Sequence, residues 1–199
     1  MDKEQLIEKY REINVNDDWW HESVYEWFDE QCKDRGIQIS TTPSNYISLG
    51  KTTSRRERDI TWSGFWSQGD GAAFAGRVWD FKLALGCLYD DYPIFQKYVE
   101  DLKGHVRMSW GLGRGNNISS RDLEIEQIHY YLEVDHPLAE IWQEQLDKEA
   151  EMVDALIGDV VNDLCGLLYD ALRDEYEALT SDEAVWDAIQ ANDLDKEVA

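Results

Sequence analysis

The chain has little of what would cross-link, kink or insert it. Its 199 residues include three cysteines and three prolines, and 19 basic residues stand against 42 acidic ones. Cys32, Cys87 and Cys165 are odd in number, far apart and outside any CxxC pair. That spacing matches no disulfide framework or thiolate zinc motif and favours three small apolar residues of a reducing compartment over a redox or metal role. No apolar run approaches the roughly 20 residues that span a bilayer. The opening MDKEQLIEKYRE carries charges where a signal peptide has its apolar core. A cytoplasmic protein without membrane attachment is the expectation. The shortage of bases leaves a net charge of −23. Phosphate repulsion then argues against direct binding of nucleic acid or an anionic membrane and favours a partner with a basic surface.

What is present is enough for a core. Hydrophobic residues make up 43% and nine are tryptophan, so wholesale disorder is excluded despite the charge. The length fits a single domain over 1–199, with an acidic helical part from about residue 137. Leu6, Ile7, Tyr10 and Ile13 recur at helical spacing. Asn14 to Asp17 breaks that helix and offers caps for a second, from about 17 to 35, whose apolar face is Trp20, Val24, Trp27, Phe28 and Cys32. Gly36 is a natural stop. Ile37 and Ile39, then Tyr46, Ile47 and Leu49, read as short extended pieces, and Lys51 to Arg58 as an exposed loop.

Alternation from Asp59 to Gly64, a turn-rich Ser67 to Gly71 and a strand over Ala72 to Trp79 predict a hairpin anchored by Trp62, Phe65, Trp66 and Phe74. A helical stretch over 80–103 is interrupted near Pro93. Strands at 105–112 and 123–131 flank a Gly/Asn loop at 111–117 and predict a second hairpin. Pro137 fits a helix start. Val153, Leu156, Ile157, Val160, Val161, Leu164, Leu167, Leu168 and Leu172 give a long core-facing stripe. Ser181 caps a last short helix. The expected fold is α+β: an antiparallel sheet of about four strands in two hairpins, packed with N-terminal helices and a long C-terminal helix.

The stretch Ile60-Thr-Trp-Ser-Gly-Phe-Trp-Ser-Gln-Gly-Asp-Gly-Ala-Ala-Phe74 resembles an SGFxSQGDGxxF motif of small phage- and prophage-encoded proteins that are often labelled antitoxin-like. Tyr176 to Val185 with Ala191-Asn192 is similar to that family's YLTSDEAV…AN stretch, and Asn14 to Trp20 to its N-terminal region. The resemblance implies a phage or mobile-element protein acting in the host cytoplasm. It carries over no catalytic residue.

Three constellations bear on chemistry. The motif loop offers Ser63, Gln68, Gly69, Asp70 and Gly71. Glycines there permit positive φ and close backbone approach, and Asp70 is a candidate base or cation ligand. The loop lacks the lysine of a phosphate-binding P-loop. As plain structure it is a hairpin turn in which Asp70 bonds its own backbone. The histidines His21, His105, His129 and His136 form no metal motif, and Glu126 and His129 fall on opposite faces of a strand. No catalytic residue, metal or cofactor is therefore expected.

The strongest signal is charge. Residues 135–199 hold 19 acids against three bases, a net of −16. Asp159, Asp163, Asp170, Asp174 and Glu177 step by four, seven, four and three, which places them on one helix face over about 27 Å. Such spacing is either a solubilising face or a surface for a basic partner. The functional expectation is a non-catalytic protein that inhibits a basic toxin, nuclease or other nucleic-acid-binding protein through this face, imitating DNA. The alternative is a metal-dependent enzyme or ligand binder that uses Gly69-Asp70-Gly71.

Overall fold

A computed structural model describes residues 2–16, 19–48, 51–101, 106–119, 121–125 and 139–195. The chain divides into two compact units, Met1–Phe28 with Leu167–Ala199, and Asp29–Gly166. Both contribute to two helices, α2 (Glu22–Asp34) and the 41-residue α5 (Ala139–Leu179).

The smaller unit joins α1 (Lys3–Lys9) to α6 (Asp182–Ala191). Leu6, Ile7, Val185 and Ile189 are buried together, with Tyr10, Ile13, Trp186 and Leu194 around them. Helix α1 is shorter than its apolar period, and turns follow it to Asn16. Asn14 does not cap the next helix. Its Nδ2 donates to the carbonyls of Leu179 (2.9 Å) and Ala184 (3.3 Å). Arg11 donates to Thr180 O at 3.2 Å and pairs with Asp182. Two of these carbonyls, Leu179 O and Thr180 O, lie where the end of α5 leaves its last carbonyls without intrahelical donors. Ser181 caps α6 through Ala184 N. Asp17 and Asp18 lie outside the described residues, and α2 starts at Glu22.

The larger unit is organised around a backbone junction. Strand β1 (Ile37–Ile39) pairs with β6 (Gly76–Val78), β2 (Thr41–Ser48) with β3 (Lys51–Arg58), and β4 (Ile60–Ser63) with β5 (Gly71–Phe74), all antiparallel. Where the three ribbons meet, Ser40 N donates to Ala75 O (2.8 Å), Ala75 N to Asp59 O (2.8 Å) and Asp59 N to Ser40 O (2.9 Å). This ring of three bonds keeps the backbone groups paired while each strand changes partner. Beyond the ring, β6 pairs with β7 (Val106–Trp110), and β7 with β8 (Asp122–Ile125), giving a sheet in the order β1-β6-β7-β8.

The α+β class and the four-stranded antiparallel sheet are as expected. Three details differ. The run from Ala72 to Trp79 is two strands, split at Ala75. The first hairpin, β4–β5, stands as its own ribbon beside the sheet. Lys51–Arg58 is a strand, not a loop, because it pairs residue for residue with β2. The continuations of the last strand over 126–131, and Pro137, lie outside the described residues.

One face of the sheet is core. Ile37, Ile39, Val78, Met108 and Trp110 are buried, and so are Phe81 of α3 (Phe81–Leu85) and Phe95 of α4 (Pro93–Asp101). Phe81 and Phe95 meet edge to face at 5.2 Å. Within this unit, Leu146, Ala150, Val153, Ile157, Val161 and Leu164 line the buried side of α5. Pro93 opens α4, and Glu149 Oε2 of α5 accepts from Ile94 N (3.0 Å) and Phe95 N (2.7 Å). One acid of the acidic C-terminal part is thus a helix cap for a neighbour, where the N-terminal dipole favours it.

Candidate functional site

The motif loop spans Gly64 to Asp70 between paired Ser63 and Gly71. Its centre is the Asp70 carboxylate. Oδ2 accepts from Trp66 N (2.7 Å) and Ser67 N (2.6 Å), and Oδ1 accepts from Ser67 Oγ (2.9 Å). The Ser67 and Trp66 donors hold this carboxyl below the usual aspartate range. Gly64 has φ +30°, and a Cβ there would stand 2.8 Å from Asp70 Oδ2. Gly69, at φ +104°, turns the chain back. Gly71 lies in β5 without positive φ, so the expected left-handed requirement falls on Gly64 and Gly69 instead.

Side chains fix the loop to its neighbour. Asn116 donates through Nδ2 to Ser63 Oγ, and Thr61 Oγ1 donates to Asn116 Oδ1 at 3.3 Å. Asn116 belongs to the Gly/Asn loop after β7, which is closed by Gly113 N to Asn117 O (2.7 Å). Phe65 and Phe74 are buried, and Trp62 stacks on Phe65 at 5.2 Å. Trp66 is 75% exposed and anchors nothing, contrary to the sequence reading. Gln68 is exposed as well. Asp70 therefore holds a turn, and its oxygens face donors of their own loop. Among the described residues no group of three or more His, Cys, Asp and Glu stands where it could hold a metal ion. His105, His129, His136 and Glu126 lie outside the described residues. His21 meets Trp20 at 5.5 Å and Tyr25 at 4.5 Å between ring centroids.

The second candidate is the outer side of α5. Asp159, Asp163, Asp170, Asp174 and Glu177 are all exposed, and at 100° per residue they fall within an arc of about 60°. Three of the five are paired. Arg173 reaches Asp170 at 3.1 Å, Asp174 at 3.5 Å and Glu177 at 4.0 Å. Its place one residue before Asp174 and three after Asp170 was the available signal. Among the described residues no cationic nitrogen lies within 4.0 Å of Asp159 or Asp163. These surface pairs are worth under about 1 kcal/mol each, so the ridge keeps an excess of negative charge. Cys32 is buried and its thiol is pushed up to about 12 by desolvation, whereas Cys87 is exposed.

The junction, its sheet and the long helix define an α+β protein with an acidic helical ridge and a braced glycine loop. The chain belongs to the DUF8835 family, a domain of unknown function, which matches residues 20–182. The matched stretch contains both the loop and the ridge. No curated protein and no solved structure matches the chain. Among the described residues no helix is long and apolar enough to cross a membrane.

Proposed function

We propose that this is a non-catalytic phage or mobile-element protein whose α5 ridge binds and inhibits a basic protein, one that itself binds nucleic acid. The observation that carries the reading is the exposure of five carboxylates on one face, two of them without a cation in reach among the described residues. An array of this kind steers a basic surface onto itself, raising the association rate more than the affinity of any one contact. Duplex DNA carries a charge about every 1.7 Å of axis, and the ridge five over about 27 Å. It imitates the sign and direction of that field at lower density. The antitoxin-like resemblance of the SGFWSQGDG stretch agrees with an inhibitory role, and the cytoplasm is where such a partner is met.

The test is capture from host lysate by the wild type and by a D159N/D163N/D170N/D174N/E177Q variant, followed by elution with salt and with duplex DNA. A basic protein held by the wild type, lost from the variant and displaced by DNA is the expected result. Equal capture by both proteins contradicts the reading.

A further inference from the structure

Among the described residues, three of the nine exposed large apolar side chains fall within ten residues of one another. Trp79 is 54% exposed, Leu83 46% and Leu88 41%. They run from the residue after β6 through α3 into the 3-10 helix Gly86–Asp91. Trp79 N donates to Gly36 O at 2.8 Å, and the Asp80 side chain caps α3 through Leu83 N at 3.0 Å. A Cβ on Gly36 would stand 3.0 Å from Leu83 Cβ, so Trp79 and Leu83 both border that glycine. Gly86, at φ +57°, ends α3, and the exposed Cys87 and Leu88 follow it. In the same stretch Phe81, Ala84, Leu85 and Tyr89 are buried. The core thus takes one side of the segment, and a second apolar side is left to water. A helix that is apolar all round is expected to be covered all round.

The charge around this patch departs from that of the chain. Residues 33–39 and 76–91 hold four bases and four acids, a net of zero in a chain of −23. Lys82, Asp90 and Asp91 are exposed beside the apolar side chains. An apolar centre with a polar rim is the anatomy of a protein interface, and tryptophan is enriched at such centres. A rim of balanced sign selects neither a basic nor an acidic partner. It is complementary to itself, because a two-fold axis sets one patch against its own copy and lets the acids of one rim meet the bases of the other. Two copies of so acidic a chain repel wherever their surfaces are negative, and a neutral patch is where they can approach.

We propose that Trp79, Leu83 and Leu88 form the centre of a two-fold interface between two copies of the chain. The inference does not rest on the ridge, and the two differ in sign toward salt. Salt screens the repulsion between two net-negative chains, and exposed rim ion pairs weigh little against it. Self-association through this patch therefore strengthens as salt rises, whereas capture of a basic protein by the ridge weakens.

The test is sedimentation equilibrium of the full chain at about 0.05 M and about 0.5 M salt, for the wild type and for two variants, L83E/L88E and W79S. The wild type should show mass above its 23.2 kDa monomer, more so at the higher salt. L83E/L88E should be monomeric at both salts. W79S, which adds no charge, should lower the association constant by about tenfold. A wild type that is monomeric at both salts overturns the proposal, as does association that both variants leave unchanged. Association that falls as salt rises overturns it too, and assigns the contact to opposite charges instead.

Discussion

At the strand junction the polar backbone groups find their partners inside the chain, whereas along the α5 ridge the charged side chains find few. Ser40, Asp59 and Ala75 close a ring of three bonds, and Asp70 accepts three more to hold the adjoining loop. On the ridge, among the described residues, Arg173 alone answers the carboxylates, and it reaches three of the five. The first region is determined by internal geometry, and a substitution there is felt in folding. The second contributes little to folding, and a substitution there is felt by whatever binds. Function is accordingly sought on the surface that stability does not explain.

The contrast is broken most severely at Gly76. A Cβ there would stand 2.9 Å from both Gln38 O and the Trp110 ring. Gly76→Val should lower unfolding free energy by about 3 kcal/mol, read as a shifted denaturant midpoint. Next is Trp110→Phe, which removes the buried Nε1–H to Phe74 O bond of 2.9 Å. It leaves a carbonyl without its donor at a cost of about 1–3 kcal/mol by the same measurement.

Asp70→Asn acts through pH. The folded carboxyl titrates below its unfolded counterpart. Its contribution is full above about pH 4 and is lost as pH falls through the folded value. The variant should melt below the wild type at neutral pH, and the gap should close in acid. A gap independent of pH would show that the loop does not depend on the carboxylate. Smallest are the ridge changes. Each single Asp→Asn among Asp159, Asp163, Asp170 and Asp174 should alter stability by no more than about 0.5 kcal/mol. A larger loss at Asp159 or Asp163 would mean that these acids are structural.

Elements with a clear apolar period were legible in the sequence. The α5 stripe, the stop at Gly36, the Ser181 cap and the pairing of 60–63 with 71–74 follow from spacing and turn chemistry. What escaped lacks such a signal. Strand β3 is KTTSRRER, with no apolar alternation, and none of its described side chains is buried; its threonines are the remaining hint. The junction escaped because an unbroken strand-like run from Ala72 to Trp79 does not show that the chain changes partner at Ala75. In the loop, Asp70's role as a turn brace was foreseen, but the bridge from Asn116 to Ser63 joins residues 53 apart. The ridge was legible as a face, and the spacing of Arg173 from Asp170 and Glu177 carries its partial neutralisation.

The central claim is that the ridge guides a basic protein by its field. The direct measurement is the association rate of the captured partner against ionic strength, for the wild type and for the fivefold neutralised variant. The account predicts a wild-type rate that falls steeply with salt and a variant rate that is slow and nearly flat. Equal rates with equal salt dependence for the two proteins would contradict it.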